Sequence, residues 1–213
     1  MTSLITISGA YGAGGSHIGR ELAERLHVPF LDRAIPARVA EELAVPLEEA
    51  TQYDERVPTS WPERMLRSFI APEAGAQTWL AGETITSVDF NRTAEKILLE
   101  QAASGKGVIL GRAAMIVLRN QPNVLRVRLD GPLQARVQRA MALEDIDERT
   151  AEQRLHQTDK AHAAYVGHFY GADLYDCSLY DIVLDATALS YEDCVELLLH
   201  AASLPVRASA VEA

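Results

Sequence analysis

A glycine-rich stretch near the start of the chain constrains the fold more than any other feature. The stretch SGAYGAGGSHIG covers residues 8–19 and follows a short apolar run, Leu4–Ser8. After it, Ile18, Leu22 and Leu26 recur at every fourth position and so share one face of a helix. The order strand, glycine loop, helix predicts a phosphate-binding loop at the N-terminus of a helix.

The stretch matches the pattern G-x-x-x-x-G-K-[ST] except at one position. Gly9, Gly14 and Ser16 are in register, and Gly15 stands where the pattern has lysine. Unpaired N–H groups at a helix N-terminus bind a phosphate without any side chain, because the helix dipole also favours an anion there. We expect nucleotide phosphates to bind at Gly9, Gly12, Ala13, Gly14, Gly15 and Ser16, with the Ser16 hydroxyl as a metal ligand.

Two other interpretations of the glycines stay open. The dinucleotide pattern G-x-G-x-x-G, begun at Gly12 and Gly14, places its third position on His17 and so fits less well. Asp32 nevertheless lies near the spacing of a ribose-binding acid. The glycines could also serve only a tight turn, since glycine adopts conformations that other residues avoid. Phosphate binding is favoured over both.

Five short apolar runs alternate with helical segments along the chain. The runs are Leu4–Ser8, Val28–Asp32, Lys106–Leu110, Val124–Leu129 and Asp181–Asp185. In the fourth run, apolar residues alternate with arginine, which predicts a half-exposed strand. The pattern predicts an α/β fold with a five-stranded parallel sheet, helices on both faces and ligands at the carboxyl ends of the strands.

The same pattern predicts one domain over residues 1–205. We expect a helical, substrate-side insertion over residues 34–104, where prolines break a series of helical segments. Residues 144–176 are polar and charged, with weak periodicity, and residues 206–213 form a frayed tail.

Charge and cysteine content argue against several classes of protein. With 30 acidic and 20 basic residues, the formal net charge is -10, which disfavours general binding to nucleic acid. Cys177 and Cys194 form no C-x-x-C pattern, so neither a disulfide framework nor a zinc site is indicated. No stretch approaches the roughly 18 apolar residues of a membrane span, and the N-terminus does not resemble a signal peptide. We expect a cytoplasmic protein without a membrane partner; the oligomeric state stays open.

Six segments of the chain resemble, in the same order, the cytidylate kinase-like family of P-loop nucleoside monophosphate kinases, in particular its branch with a lysine-free loop. They are ITISGAYGAGGSHIGRELAERL, VPFLDR, GVILGRAAMIVL, VRLDGPLQARVQR, RLHQTDKAHAAYVGHFYG and LYDIVLDATALSYEDCVELLL. Together they cover most of the chain apart from residues near 40–90. The resemblance implies that the insertion over 34–104 is on the acceptor side and that residues 144–176 include a mobile lid over the donor phosphates.

The resemblance also implies transfer of the γ-phosphoryl group of ATP, with Mg²⁺, to an acceptor such as CMP or dCMP. This reaction depends on positioning and charge neutralisation more than on a covalent catalyst, so arginines near the phosphates matter most. By position in the family's pattern, Arg112 binds the acceptor phosphate and Asp32 lies on the acceptor side. Arg154 and Lys160 of the lid segment close over the transferring phosphate.

Arg136 and Arg139 complete the set of catalytic candidates, although their i, i+3 spacing on one helix also suits pairs with surface acids. The chain departs from the family's pattern where D-K-x-R reads D-K-A-H over residues 159–162 and G-R-D reads G-R-A over residues 111–113. These departures keep a second hypothesis open, in which the chain is a nucleotide-binding or sensor module with weak or no catalysis.

Overall fold

The computed structural model of the chain describes residues 3–32 and 87–205. The strands are β1 (Ser3–Gly9), β2 (Phe30–Leu31), β3 (Lys106–Leu110), β4 (Val124–Asp130) and β5 (Ile182–Asp185). The α-helices are α1 (Gly15–Leu26), α2 (Ser87–Ala103), α3 (Ala114–Val117), α4 (Leu133–Glu144), α5 (Glu148–Tyr170) and α6 (Tyr191–Ser203), and a 3₁₀ helix covers Cys177–Leu179. Most of the insertion predicted over 34–104, and the tail predicted over 206–213, lie outside the described residues.

The five strands form one parallel sheet in the order β2-β3-β1-β4-β5. The central strand β1 pairs with β3 up to Ile7 opposite Leu110, and with β4 up to Gly9 opposite Leu129. The carboxyl ends of these three strands therefore lie at one edge of the sheet. The glycine loop after β1, the turn after β3 and the end of β4 meet along that edge.

Successive side chains of β1 belong to two different hydrophobic cores. Ile5 and Ile7 pack with buried side chains of α1 and α6 on one face of the sheet. Leu4 packs with Ile97 and Leu98 of α2 on the other face. All five side chains are at most 2 % exposed, and the burial of each contributes about 1.5–3 kcal/mol. Helices therefore cover both faces of the parallel sheet, which confirms the predicted fold class.

The weakly periodic segment over 144–176 contains the longest described helix, the 23-residue α5. Asp147 caps its N-terminus by accepting a backbone N–H at 2.7 Å, and Gly171 ends it in a left-handed conformation. Leu155 packs its first half against α4, while Tyr165 packs its second half beside the turn after β3. Neither α5 nor any other helix in the described part of the chain combines the length and apolar character that a bilayer span requires.

Gly12 sets the path of the loop, because its φ of +79° is left-handed and a Cβ there would lie 2.4 Å from the backbone carbonyl oxygen of Arg136. We expect Gly12→Ala to lower the free energy of unfolding by about 2–3 kcal/mol, from backbone strain plus overpacking. Urea denaturation measures this loss.

Gly105→Ala is the matched control for this prediction. Gly105 has a similar φ of +68°, but no described heavy atom lies within 4 Å of the Cβ position. The control should lose only the cost of the left-handed conformation, about 1 kcal/mol. Equal losses in the two variants would contradict the role assigned to the close contact with α4.

Candidate active site

The glycine loop joins β1 directly to the N-terminus of α1. Gly14, with φ 85°, is the N-cap residue of α1, and its carbonyl oxygen accepts the N–H groups of His17 and Ile18 at 3.1 and 3.0 Å. Ala13 and Gly15 are buried, whereas Ser16 is exposed in the first turn. Of the residues assigned to phosphate binding, Gly9 ends β1, and the other five are contiguous at the start of a 12-residue helix, whose N-terminal N–H groups and dipole favour an anion.

Gly15, which stands where the phosphate-loop pattern has lysine, is buried against β3. A Cβ on Gly15 would lie 3.2 Å from Cδ1 of Leu110 and 3.6 Å from Cα of Gly9. A lysine at this position would therefore require Leu110 to move by a few tenths of an ångström. The close packing of β3 against the start of α1 favours glycine here.

Arg136 and Asp159 fasten the loop to helices α4 and α5. The Arg136 guanidinium donates to the carbonyl oxygens of Tyr11 and Gly131 at 3.0 Å each, and to Oδ2 of Asp159 at 2.7 Å. Asp159 Oδ1 accepts the backbone N–H of Tyr11 at 3.1 Å. Asp130 also lies near this guanidinium, with Oδ1 3.6 Å from Nε of Arg136. Both backbone polar groups of Tyr11 are therefore bonded to the Arg136–Asp159 pair.

Arg128, at the carboxyl end of β4, was missed as a site residue. The alternation of arginine with apolar residues predicts a half-exposed strand, but Arg128 is only 4 % exposed. Its Nη2 and Nε donate to Asp130 Oδ2 at 2.7 and 3.0 Å, and its guanidinium carbon lies 5.0 Å from the ring centroid of Tyr175. Burial lowers the pKa of Arg128, but the Asp130 carboxylate outweighs burial and raises that pKa overall. The R-x-D spacing, which places both side chains on one face of a strand, was the available signal.

Arg112 and Asp32, the two residues assigned to the acceptor side, form an ion pair. Nη1 of Arg112 donates to Asp32 Oδ1 at 3.2 Å and to the Leu110 carbonyl at 2.9 Å, and Arg112 is 5 % exposed. Gly111, Arg112 and Ala113 are all left-handed, with φ of 78°, 56° and 50°. Because each such non-glycine residue costs about 1–2 kcal/mol, this turn is strained, and strained backbone is concentrated at functional sites.

Arg154 and Lys160 are exposed on α5. Arg154 pairs with Glu144 at the end of α4, and the other oxygen of Glu144 accepts the Tyr11 hydroxyl at 2.7 Å. Burial and this contact with Glu144 raise the pKa of Tyr11 to about 12. Arg154 is therefore connected to the loop through Glu144 and the Tyr11 side chain.

Arg139 faces the turn after β5. It donates to the carbonyl oxygens of Ala186 and Leu189 at 2.8 and 3.3 Å, and its guanidinium carbon lies 4.7 Å from the ring centroid of Tyr191. The Tyr191 ring in turn lies against the loop, since a Cβ on Gly14 would be 2.4 Å from Tyr191 Cε1. Through these contacts Arg139 supports one wall of the loop, and its catalytic role stays a prediction.

Four arginines around the loop and the strand ends are each paired with a carboxylate. The pairs are Arg112 with Asp32, Arg128 with Asp130, Arg136 with Asp159 and Arg154 with Glu144. The positive charge that could replace a loop lysine is therefore partly balanced within the protein. Any anion that binds these guanidinium groups therefore competes with the carboxylates for the same donors.

Among the described residues, few oxygen donors suited to Mg²⁺ lie near the loop. In the described part of the chain, no group of three or more His, Cys, Asp or Glu side chains could hold a metal ion. The Ser16 hydroxyl, however, is exposed at the loop, and the Asp130 carboxylate ends β4. Mg²⁺ at phosphoryl-transfer sites is bound by one or two protein groups together with substrate phosphates. Asp130 already accepts from Arg128 and from the Gly131 N–H, so the Ser16 hydroxyl is the more accessible donor.

Sequence similarity to known proteins extends over nearly the whole chain. The sequence profile of the cytidylate kinase-like family matches residues 4–188. A cytidylate kinase of Methanopyrus kandleri is 26 % identical over 207 residues, which are 93 % of this chain and 92 % of the relative.

Solved structures share the fold at low sequence identity. An uncharacterized protein from Eubacterium ventriosum has a TM-score of 0.67 at 18 % identity, over 94 % of this chain and 98 % of that one. A shikimate kinase from Bacteroides thetaiotaomicron has a TM-score of 0.52 at 17 % identity, over 95 % and 99 % of the two chains. These likenesses show the fold alone.

Proposed function

Because the chain belongs to the cytidylate kinase-like family, we propose that it transfers the γ-phosphoryl group of ATP to a nucleoside monophosphate such as CMP or dCMP. The observation that carries the proposal is the position of three buried arginines at the edge of the sheet where the glycine loop begins. Arg128 lies near the carboxyl end of β4 beside Ser8, Arg136 bonds the loop at Tyr11, and Arg112 follows β3. Phosphoryl transfer needs such a concentration of fixed positive charge.

In the proposed reaction, an oxygen of the acceptor phosphate bonds to the γ-phosphorus while the bond to the β-phosphate oxygen breaks, giving ADP and a nucleoside diphosphate. The N–H groups of Gly12, Gly14, Gly15 and Ser16 bind the donor phosphates, while the Ala13 N–H keeps its bond to the Ala10 carbonyl. Arg112, whose Nη1 is fixed by Asp32 and the Leu110 carbonyl, orients the acceptor phosphate. Mg²⁺, with the Ser16 hydroxyl as a protein donor, supplies further charge neutralisation on the donor phosphates.

Further elements of the chain take their roles from this proposal. The insertion over 34–104 serves the acceptor, and the segment over 144–176 serves as a lid whose Arg154 and Lys160 face the donor phosphates. Arg139 acts on the donor side together with Tyr191. ATP and nucleoside monophosphates are the partners, and the reaction takes place in the cytoplasm.

A coupled ADP-release assay tests the proposal. ATP is supplied with CMP, dCMP, UMP, AMP, GMP or shikimate, each with Mg²⁺ and with EDTA. We expect acceptor-dependent ADP release with CMP or dCMP, and its loss in EDTA. ADP release that never exceeds the ATP-only background with any nucleotide would contradict a nucleotide kinase, and turnover with shikimate alone would change the acceptor class.

A second function, nucleotide binding without efficient turnover, is supported by a specific observation. The loop has glycine in place of lysine, and four nearby arginines are already paired with carboxylates. A sensor of this kind would bind ATP, which calorimetry detects, while the panel of acceptors gives no ADP. Binding and turnover measured on one preparation therefore separate the two functions.

A further inference from the structure

The Asp159 carboxylate bonds to two donors that also suit a phosphate. One is the backbone N–H of Tyr11 within the glycine loop, at 3.1 Å from Oδ1. The other is the Arg136 guanidinium, at 2.7 Å from Oδ2. The Arg136 and Asp159 side chains are only 10 % and 16 % exposed, so water screens their attraction weakly.

The two donors are held in place without help from Asp159. The Tyr11 N–H belongs to a loop whose path is set by Gly12 and by the bond from Ala13 N–H to the Ala10 carbonyl at 3.0 Å. Arg136 is oriented by the carbonyls of Gly131 and Tyr11. A loop N–H and an arginine fork that remain in position form an anion site, and a phosphate oxygen accepts from both as a carboxylate oxygen does.

Asp159 itself lies on α5, the helix within the segment expected to act as a lid. A second contact joins the same helix to the loop, since Arg154 of α5 pairs with Glu144, which accepts the Tyr11 hydroxyl. Loss of the Asp159 contact would free the middle of α5 from the loop backbone, and the Arg154–Glu144 contact to the Tyr11 side chain would remain. Tyr165 keeps the second half of the helix in the core.

We infer that Asp159 and an outer phosphate of ATP compete for the Tyr11 N–H and the Arg136 guanidinium. Binding of the donor is thereby coupled to loss of the Asp159 contact between α5 and the loop backbone. The inference rests on the proposed function, because it requires that ATP phosphates occupy the glycine loop. It assigns to Asp159 the role of a positioning residue, which holds the middle of α5 against the loop backbone until the donor replaces it.

Calorimetric binding of ATP, ADP and AMP to Asp159→Asn, in EDTA and without acceptor, tests the inference. Asparagine keeps the size of the side chain but loses the charge that holds Arg136. We expect the Kd for ATP to fall about tenfold, because the phosphate no longer displaces a charge-assisted hydrogen bond. The Kd for ADP should fall less, and that for AMP should not change.

Glu152→Gln removes the same charge from α5 at a residue outside the Arg136–Asp159 contact, and it should leave the Kd for ATP unchanged. An equal gain in both variants, or an equal gain for ATP and AMP, would overturn the inference in favour of general charge repulsion. Wild-type ATP binding without any gain in Asp159→Asn would overturn the inference and leave the proposed function standing. Absence of ATP binding in all three proteins would contradict both.

A measurement on the wild-type protein keeps the inference testable even where the variant is unstable. The backbone amide resonance of Tyr11 should shift when ATP is added, because its acceptor changes from a carboxylate to a phosphate. AMP at saturation should leave that resonance in place. A Tyr11 amide that does not respond to bound ATP would rule out the exchange of acceptors.

Discussion

Arg136→Ala is expected to lower the free energy of unfolding by about 3 kcal/mol and to remove phosphoryl transfer. The substitution leaves the Asp159 carboxylate without its arginine, and breaking a buried ion pair from one side is strongly destabilising. It also removes the donor to the carbonyls of Tyr11 and Gly131. Because Tyr11 belongs to the glycine loop, the loss of stability and the loss of ATP binding should occur together.

Urea denaturation and ATP calorimetry on the same preparation measure both effects. Arg136→Lys keeps the charge but carries its donors on a single nitrogen, so it cannot reproduce the bonds that Nε and Nη1 of Arg136 make, and its stability should lie between wild type and Arg136→Ala. Arg149→Ala removes an exposed arginine from α5 and should change the free energy of unfolding by less than about 0.5 kcal/mol. If Arg136→Ala were as stable as Arg149→Ala, the buried network would have no part in holding the loop.

Arg112→Ala should reduce kcat/KM for the acceptor by about 10²-fold or more while changing the Kd for ATP by less than about threefold. Its guanidinium lies at the end of β3, on the other side of β1 from Arg128 and Arg136. A phosphate bound there loses a planar fork of donors that no lysine reproduces, so Arg112→Lys should recover little activity. Steady-state kinetics with varied acceptor, together with ATP calorimetry, separate the two substrates.

Arg126→Ala is a control for the loss of an arginine–aspartate pair as such. Arg126 lies in β4, nearer the start of the strand than Arg128. Its Nε and Nη2 donate to Oδ2 and Oδ1 of Asp181 at 3.1 and 2.7 Å. Loss of this ion pair in Arg126→Ala should lower the free energy of unfolding without an effect on kcat/KM for the acceptor.

If Arg112→Ala lost ATP affinity as much as it lost kcat/KM for the acceptor, Arg112 would belong to the donor side. If neither quantity changed, Arg112 would be a structural arginine.

The sequence predicted the sheet well because each strand is a local apolar run bounded by turn residues. The third run, Lys106–Leu110, has the same bounds in the structure, and the others differ by one or two residues at an end. Helix α5 was harder to predict, because its two halves pack into different hydrophobic cores and its first half also pairs polar side chains with the loop. Weak periodicity is the expected result of such a division.

Pairing between charged residues could not be predicted from the chain alone. Asp159 is 148 residues from Tyr11 and 23 from Arg136, so neither contact has a local signal. Arg128 is buried by Tyr175 and Tyr180, which follow it by some fifty positions along the chain and are brought to it by α5 and the 3₁₀ helix. The sequence identified Arg112, Arg136 and Arg154 as candidates but missed Arg128. Among the carboxylates that pair with these arginines, only Asp32 was a candidate, and the pairing itself required the tertiary structure.

Transfer of γ-³²P from ATP to CMP in a single turnover, with enzyme in excess over ATP, tests the central claim most directly. The claim is that a lysine-free loop supported by paired arginines still carries out phosphoryl transfer. We expect the label to appear in CDP in wild type and to stay in ATP in Arg112→Ala. Label that remains in ATP with wild type, although calorimetry shows ATP bound at the loop and every monophosphate is supplied, would contradict the account and leave a nucleotide-binding module.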